Sequence, residues 1–422
     1  MNEKAKQGPE APGWASAMQP GHWYRISGDT PDLNLWPSSV GTRYLEDNDP
    51  ARDSNLNPPK SLKERGRRLA GRRWIAPWSG RMGFSSMTEA WNGAMFASRF
   101  GRSGSMVVFG GGHNDYFGSD VHAFDLATRE WRRLTDGFVA GNEHDYGEGA
   151  VYSDATYPDG SPLPPHTYDY VQYDDVGNDL ILLKGQTELG PDVKAAAIPH
   201  LFNLDALTWR HGPEHEAAIL NSGGFTTWDA SRRILWGHSG DDGRGNAFVG
   251  YSPDGVNPDG TVGAWREFHP NKIPGEANHN AMQVHPVKDL ILVSLHGRDS
   301  LARIDPEKPG DSIAMVESTG SKPRVHEYAA LEYSQAHDSI IYYSAADGAA
   351  VYSIDWDDKA RWENITASDT LDPVADAARM SRHQINKSHT FGRFRVANFG
   401  DFDLALLIRH VDSPVYAMRL PG

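Results

Sequence analysis

A unit of four short apolar runs, separated by turn-forming residues, recurs along this chain. The clearest copy covers residues 91–136 and reads WNGAMFA, SMVVFGGGHNDYFG, DVHAFDL and ATREWRRLTD in turn. Five further copies begin at His166, Gly223, His279, His326 and Lys387. Four short strands joined by tight turns form an antiparallel meander, and a meander that repeats along a chain is typical of a β-propeller. The sequence therefore predicts an all-β fold of four-stranded blades, six of which can be recognised.

The outer two strands of the unit share a signature. Phe-Asp-Leu at 124–126 precedes Trp131, and Phe-Asn-Leu at 202–204 precedes Trp209. Together with a Gly-Gly doublet after the second strand, this pattern resembles the kelch repeat family over residues 91–422. The resemblance implies a kelch-type β-propeller. It implies no single function, because propellers of this type include both enzymes and binding modules.

The sixth copy lacks its fourth strand, and a strand-like segment stands near the other end of the sequence. Residues 22–27 read HWYRIS, and we predict that this N-terminal strand completes the last blade and closes the ring. Closure removes exposed sheet edges, which would otherwise pair with other chains. The polar stretch 28–90 is expected to run over the surface, or to contain a degenerate seventh blade. Residues 1–422 are thus expected to form one domain.

Composition narrows the possible partners. The formal net charge is −15, which argues against nucleic acid, because a phosphate backbone requires a basic footprint. No apolar stretch reaches the length of a membrane span, so membrane insertion is not expected. No signal peptide is visible; the protein would be secreted or periplasmic if one had been removed. The chain contains no cysteine, so it has neither disulfides nor a thiolate site. We expect the protein to be a monomer.

Eight of the 18 histidines stand at equivalent positions of the repeat. The start of a blade's first strand and the end of its second lie at the same face, because the two strands are antiparallel. Four histidines fall at starts of first strands, namely His166, His279, His326 and His389. Four fall at ends of second strands, namely His113, His238, His296 and His410. We therefore expect the histidines to converge on one rim of the propeller, where neighbouring polar residues join them.

The residue types at this rim suit proton transfer beside a carboxylate. An arginine can pair with a carboxylate and lower the cost of removing the adjacent proton. A neutral histidine or a tyrosine can then act as base, and a second such group can protonate the leaving oxygen. This chemistry is β-elimination on a uronic acid glycoside.

The layout also resembles the β-propeller polysaccharide lyases, including the ulvan lyase group, in fold and in site residue types. The resemblance implies acid and base roles for His113 and His166, a partner role for Tyr168 and a carboxylate clamp at Arg298. The remaining candidates would bind an anionic or neutral polysaccharide, and they are Trp91, Asn114, Asp115, Tyr116, His279, Asn280, His296, His326, Tyr328, His389 and Arg393.

Other interpretations of the rim stay open. A glycoside hydrolase would use a pair of carboxylates, for which Asp115, Glu327 and Asp347 are candidates. A non-enzymatic glycan- or protein-binding propeller would use the rim aromatic residues for stacking, and the histidines could instead be structural. The proposed chemistry requires no cofactor, but Zn²⁺ or Ca²⁺ is possible, with metal candidates His238, His279 and His296.

Overall fold

The computed structural model describes residues 8–27, 86–89, 91–111, 119–135, 156, 160–162, 164–183, 198–215, 223–239, 247–270, 273, 279–310, 312–380, 390–409 and 413–422. Within these residues the strands form six four-stranded antiparallel blades in a ring. The prediction of an all-β propeller is therefore confirmed. The stretch 28–90, in which a seventh blade was possible, lies outside the described residues except for the short helix α1 at Ser86–Glu89.

The first three blades follow one another after a short N-terminal strand, β1, at Trp23–Arg25. Blade 1 consists of β2–β5, at Ala94–Ala97, Ser105–Val108, His122–Asp125 and Glu130–Arg133. Blade 2 consists of β6–β9, at Val171–Asp174, Asp179–Leu182, His200–Asn203 and Thr208–His211. Blade 3 consists of β10–β13, at Phe225–Asp229, Ile234–His238, Ala247–Val256 and Val262–Pro270.

The other three blades complete the ring. Blade 4 consists of β14–β17, at Met282–His285, Leu290–Leu295, Ser300–Ile304 and Ala314–Val316. A short strand, β18 at Ser318–Gly320, then pairs in parallel with the last strand of blade 5. Blade 5 consists of β19–β22, at Ala330–Ser334, Ser339–Tyr343, Val351–Trp356 and Ala360–Asn364. Blade 6 contains β23–β25, at Phe394–Asn398, Asp403–Ile408 and Val415–Arg419.

Short helical segments lie between these strands. Helix α2 at Pro373–Met380 connects blade 5 to blade 6. Single 3₁₀ turns lie at Ala15–Ala17, His296–Arg298 and Ala345–Asp347. In the part of the chain that the structure describes, no helix has the length and hydropathy needed to span a bilayer.

The second strand of each blade explains why the repeat is visible in the sequence. Strands β3, β7, β15, β20 and β24 are buried along their whole length. Each blade is covered by a neighbour on both faces, so these strands appear as near-continuous apolar runs and not as alternating ones. The apolar runs that defined the repeat are therefore the buried centres of the blades.

The turn between the third and fourth strands explains the shared signature. The Asp125 carboxylate accepts hydrogen bonds from the backbone N–H groups of Ala127 and Thr128, at 2.9 and 3.1 Å. Such bonds stabilise tight turns. In blade 2, Trp209 packs between Phe202 of its own blade and Phe109 of blade 1, with ring centroids 5.0 and 4.9 Å apart. The aspartate or asparagine thus forms the turn, and the tryptophan fills the space between blades.

Strand β1 closes the ring as the outermost strand of blade 6, where it pairs antiparallel with β25. This confirms the predicted role of the N-terminal strand. The guanidinium of Arg25 donates to both oxygens of Asp376 at 2.6 and 2.7 Å. Tyr416 donates a third hydrogen bond to the same carboxylate at 3.0 Å. The closing strand is therefore fixed to helix α2 as well as to its own sheet.

Replacing Arg25 with alanine is expected to destabilise the protein by about 2 kcal/mol, because Asp376 is buried and loses its charged partner. Arg361 offers a matched control, since its ion pair with Asp355 is exposed on both sides. Arg361→Ala is expected to cost less than about 1 kcal/mol. Urea unfolding of both variants measures the difference. Equal losses would contradict a special role for the closing strand.

Candidate functional site

Six residues occupy the same position in the six blades, two or three residues before the innermost strand. They are Trp91, Tyr168, Gly223, His279, Tyr328 and Phe391. Four of these residues have positive φ angles between 45° and 60° although they are not glycine, namely Tyr168, His279, Tyr328 and Phe391. Residues with side chains pay about 1–3 kcal/mol for such backbone, which persists where the surrounding structure enforces it and is frequent at functional sites.

Backbone hydrogen bonds between blades hold these positions in place. The N–H of Tyr168 donates to the carbonyl of Trp91 at 2.7 Å, and the N–H of His279 donates to that of Gly223 at 2.6 Å. The N–H of Tyr328 donates in turn to the carbonyl of His279 at 2.8 Å. Five of the six positions are thus linked to the same position of a neighbouring blade, and next to the sixth, Phe391, the N–H of Thr390 donates to the carbonyl of Tyr328 at 3.2 Å. The left-handed backbone is therefore part of the ring closure around the axis.

The side chains from these positions form one aromatic cluster at the axis. The ring centroids of His279 and Tyr328 are 4.2 Å apart, and those of Tyr328 and Phe391 are 4.6 Å apart. Tyr168 lies 5.8 Å from both His279 and Phe391. The cluster lines a small concavity of about 10 Å³ that is open towards solvent. His166 extends the cluster to blade 1, since its ring lies 4.8 Å from that of Trp91 and 5.9 Å from that of Tyr168.

A polar group borders the cluster on the side of blades 4 and 5. The Glu327 carboxylate lies 3.7 Å from Nδ1 of His279 and 4.0 Å from Nε2 of His296. Oδ1 of Asn280 accepts a hydrogen bond from the backbone N–H of His296 at 3.1 Å and lies 3.0 Å from the Nδ1 of that residue. Two imidazoles, a carboxylate and an amide therefore meet beside the aromatic rings.

Burial sets the protonation states in this group. Burial lowers the pKa of His279 to about 4, with a further contribution from the nearby His296. Burial also raises the pKa of Tyr328 to about 12, with further contributions from the charge and the hydrogen bond of Glu327. At pH 7 the cavity thus holds a neutral imidazole next to a protonated phenol, which can accept and donate a proton respectively.

Arg298 provides a cation at the edge of this group. It ends the 3₁₀ turn that His296 begins. Its side chain is exposed, and it makes no hydrogen bond or ion pair with any of the described residues. An exposed guanidinium two residues from His296 is available to a carboxylate of a ligand.

A buried charge network lies beneath the cavity. The Arg395 guanidinium donates to Asp169 at 2.8 Å and to Glu332 at 2.6 Å, and all three side chains are almost fully buried. The same guanidinium donates to the backbone carbonyls of Ala94 and Val171. The triad Asp169–Arg395–Glu332 thus connects blades 1, 2, 5 and 6 across the axis. Asp169 also lines the cavity.

One cation between two buried carboxylates favours binding of a proton. Burial raises the pKa of Asp169 to about 7, opposed by the charge of Arg395 and assisted by that of Glu332. The folded protein therefore keeps this carboxyl protonated well above pH 4, where an unfolded chain would lose the proton. Because the native state binds the extra proton, this group makes stability fall as the pH rises from about 4 to about 7.

Replacing Asp169 with asparagine is expected to remove this part of the pH dependence, because the amide keeps the acceptor oxygen but cannot ionise. The unfolding free energy of Asp169→Asn should therefore fall less than that of the wild type between pH 5 and pH 8. Asp355→Asn at the exposed pair with Arg361 serves as control and should keep the wild-type slope. Parallel pH profiles for the wild type and Asp169→Asn would contradict the bound proton.

Other residues that the sequence singled out make contacts outside the concavity, although the Arg393 guanidinium also lies 5.9 Å from the ring centroid of Phe391. Nε2 of His326 lies 3.2 Å from Oδ1 of Asp347, whose pKa is raised by burial. His238 is fully buried, and its ring stacks on Phe225. Arg393 is buried too, and its guanidinium donates to the backbone carbonyls of Asn92 and Ile408.

The metal prediction concerns His238, His279 and His296. Among the described residues, no three histidine, aspartate or glutamate side chains come together as a group that could hold a metal ion. His238 packs against Phe225, whereas His279 and His296 lie beside Glu327. Binding of Zn²⁺ or Ca²⁺ stays a prediction.

Five of the predicted site residues fall on segments that the structure leaves out. They are His113, Asn114, Asp115, Tyr116 and His389, and the rim histidine His410 is left out as well. Sequence reasoning in turn missed Phe391 and Asp169. Alignment of the repeat starts would have found Phe391, which takes the position of Tyr168 and Tyr328. Asp169 had no such signal, because its partners stand on distant strands.

Comparison with known proteins adds no family assignment. No family model matches the sequence, and no curated protein matches it. A solved nidogen/laminin complex is similar at 9% identity over 68% of this chain and 86% of that chain, with a TM-score of 0.37. A mitotic checkpoint complex is similar at 9% identity over 83% of this chain and 97% of that chain, with a TM-score of 0.41.

Proposed function

We propose that this protein is a polysaccharide lyase that cleaves a uronic-acid-containing glycan by β-elimination. The observation that carries the proposal is the neutral His279 beside Tyr328 and Glu327 in an aromatic cavity at the axis. The exposed Arg298 next to this cavity supplies the charge that a uronate carboxylate requires. The resemblance of the repeat and of the rim residues to propeller polysaccharide lyases supports the same conclusion.

The reaction assigns one role each to Arg298, His279 and Tyr328. Arg298 pairs with the substrate carboxylate and stabilises the negative charge that develops on it. His279 removes the proton from C5, and the electrons of that bond form the C4–C5 double bond. The bond between C4 and the leaving oxygen breaks, and Tyr328 donates its proton to that oxygen. His279 then releases the proton it took from C5 and the Tyr328 phenolate takes one up, directly or through water, which returns both groups to their starting states.

The low pKa of His279 fits this role once a substrate is bound. In the free protein the imidazole is neutral at pH 7, so it needs no deprotonation before it accepts a proton. A bound uronate carboxylate places negative charge nearby and raises the pKa of the imidazole towards neutrality, where a general base is most efficient.

The acid and base roles that the lyase resemblance implied fall on His113 and His166, with Tyr168 as partner. His113 lies outside the described residues. His166 is buried between Trp91 and Tyr168, which suits a residue that supports Tyr168 more than one that contacts a sugar. We therefore assign the base to His279 and retain Tyr168 as a wall of the cavity.

Non-enzymatic glycan binding is the second candidate, and the aromatic cluster favours it. Tyr168, Tyr328 and Phe391 line one concavity, where Tyr328 is partly exposed, and an exposed aromatic ring can stack on the apolar face of a sugar. A hydrolase has less support, because it needs two carboxylates on either side of the bond. Glu327 is one candidate, but Asp347 pairs with His326 and Asp169 is held by Arg395.

Incubation with a panel of uronic-acid polysaccharides tests the proposal. We expect ultraviolet absorbance from an unsaturated uronate at each new chain end. The molar amount of unsaturated uronate should equal the molar amount of new reducing ends. Reducing ends without this absorbance would identify a hydrolase. Retained binding without either product would identify a binding module.

A further inference from the structure

A group of cations gathers on the rim between blades 4 and 5, although the chain as a whole carries a net charge of −15. The carboxylate of Asp299 accepts hydrogen bonds from the backbone N–H of Val325 at 2.6 Å and from Nζ of Lys322 at 3.0 Å. These bonds fix the segment 322–325 to the turn that contains Arg298. The pKa of Asp299 is lowered by the Val325 and Lys322 hydrogen bonds and by the charges of Lys322 and Arg324, against the effect of burial.

The two arginines of this rim are free to bind a ligand. Arg298 and Arg324 are both exposed, and neither side chain forms a hydrogen bond or an ion pair with the described part of the chain. Arg232 behaves differently, since its guanidinium contacts the carboxylates of Asp229, Asp289 and Glu307. Three cations against the two carboxylates of Asp299 and Glu327 leave the rim with a small excess of positive charge, which attracts anions.

This cationic rim, formed by Arg298, Lys322 and Arg324, borders the cavity. Arg298 shares a 3₁₀ turn with His296, and Glu327 stands three residues after Arg324. Glu327 in turn lies within 4.0 Å of both His279 and His296. A polymer that binds across the mouth of the cavity can therefore extend over the rim.

We propose that Lys322 and Arg324 form a second anion subsite, which binds a carboxylate or sulfate ester on a sugar next to the one at Arg298. The inference rests on the proposed function in taking the ligand to be an acidic polysaccharide. Guanidinium groups pair with planar or tetrahedral oxyanions through two hydrogen bonds. The subsite would make the protein select polymers with repeated negative charge over neutral ones.

Titration calorimetry of the wild type and of Lys322→Gln/Arg324→Gln tests the subsite directly. The ligands are an unsulfated polyuronate, a sulfated uronic-acid polysaccharide and its chemically desulfated form. We expect the double variant to lose about tenfold or more in affinity, as for two lost charge-assisted contacts. The slope of log Kd against log salt concentration should also fall by about two, one for each cation removed. The ligand that shows the larger loss identifies whether carboxylate or sulfate occupies the subsite.

Arg266→Gln is the matched control, because Arg266 is an exposed arginine on β13 of blade 3, and it should bind like the wild type. Unchanged affinity in the double variant, or equal losses in the control, would overturn the subsite. A polysaccharide-specific subsite would also be contradicted if polyglutamate, which has no sugar rings, bound as tightly as the polysaccharides and lost affinity in the double variant. If a polysaccharide binds through Lys322 and Arg324 but yields no unsaturated product, the subsite stands and only the lyase activity is rejected.

Discussion

Replacement of Arg395 by methionine is expected to lower the free energy of unfolding by about 3–5 kcal/mol at pH 7, because it leaves two buried carboxylates without their cation. Arg395 donates to Asp169 and Glu332 and to the backbone of blades 1 and 2. Few other single changes remove contacts among four blades at once. Urea unfolding followed by tryptophan fluorescence measures the loss. The loss should be smaller at pH 5, where the orphaned carboxyls can take up protons.

Two further variants keep this result interpretable. Arg298→Met removes an exposed arginine and should change stability by less than about 0.5 kcal/mol. Asp169→Asn and Glu332→Gln added to Arg395→Met should restore part of the lost stability, because no unpaired charge is then buried. A stable Arg395→Met protein with wild-type pH dependence would show that the triad does not hold the blades together.

Replacement of His279 by asparagine is expected to lower kcat by about 10²–10⁴-fold on a uronate polysaccharide, since it removes the proposed general base. Asparagine tolerates the left-handed backbone that His279 adopts, with φ of 58°, so the fold should be retained. Tyr328→Phe should show a similar loss by removing the proton donor. Initial rates from ultraviolet absorbance, with thermal unfolding of the same samples, measure both effects.

His22→Gln provides the control for this experiment. His22 pairs with the exposed Asp369 beside the closing strand, far along the chain from the cavity residues, and should leave kcat unchanged. Loss of stability in His279→Asn that matches its loss of activity would favour a structural role for the aromatic cluster. Full activity in that variant would exclude His279 as the base.

The blades were predictable because their signals are local. Each buried second strand, such as β15 or β24, is a run of apolar residues between turns, and the Phe-Asp-Leu and Phe-Asn-Leu turns mark the outer hairpins. The N-terminal strand was predictable by elimination, because the last copy lacked one strand. These features need no knowledge of which residues meet across the ring.

The site was predictable only in part. The repeat position selected His166, His279 and His326, with Tyr168 and Tyr328 as neighbours of two of them. In the structure His279 takes the position of the two tyrosines and not that of His166, and Tyr168, His279 and Tyr328 meet at the axis. The repeat position also selected His238, which stacks on Phe225 in the interior of the protein. A position in the repeat fixes the face of the propeller but not the direction of the side chain, which depends on packing between blades.

The buried triad was not predictable for a different reason. Asp169, Glu332 and Arg395 belong to three blades, and each stands among ordinary charged residues of the sequence. Arg393, two residues before Arg395, points to backbone carbonyls instead. Only the three-dimensional structure shows that Arg395, and not Arg393, pairs with the carboxylates of Asp169 and Glu332.

Blade 6 combines strand β1 with strands β23–β25, which are distant from it in the sequence, and this has a consequence for biosynthesis. Strand β1 emerges from the ribosome before the blade strands β2–β24, yet its partner β25 emerges after all of them. Until then, the nascent chain carries a strand with unsatisfied backbone groups and an incomplete circle of blades, both of which invite misassembly with other chains. Chaperone dependence during synthesis, and poor recovery of products that stop before residue 415, would follow from the same arrangement.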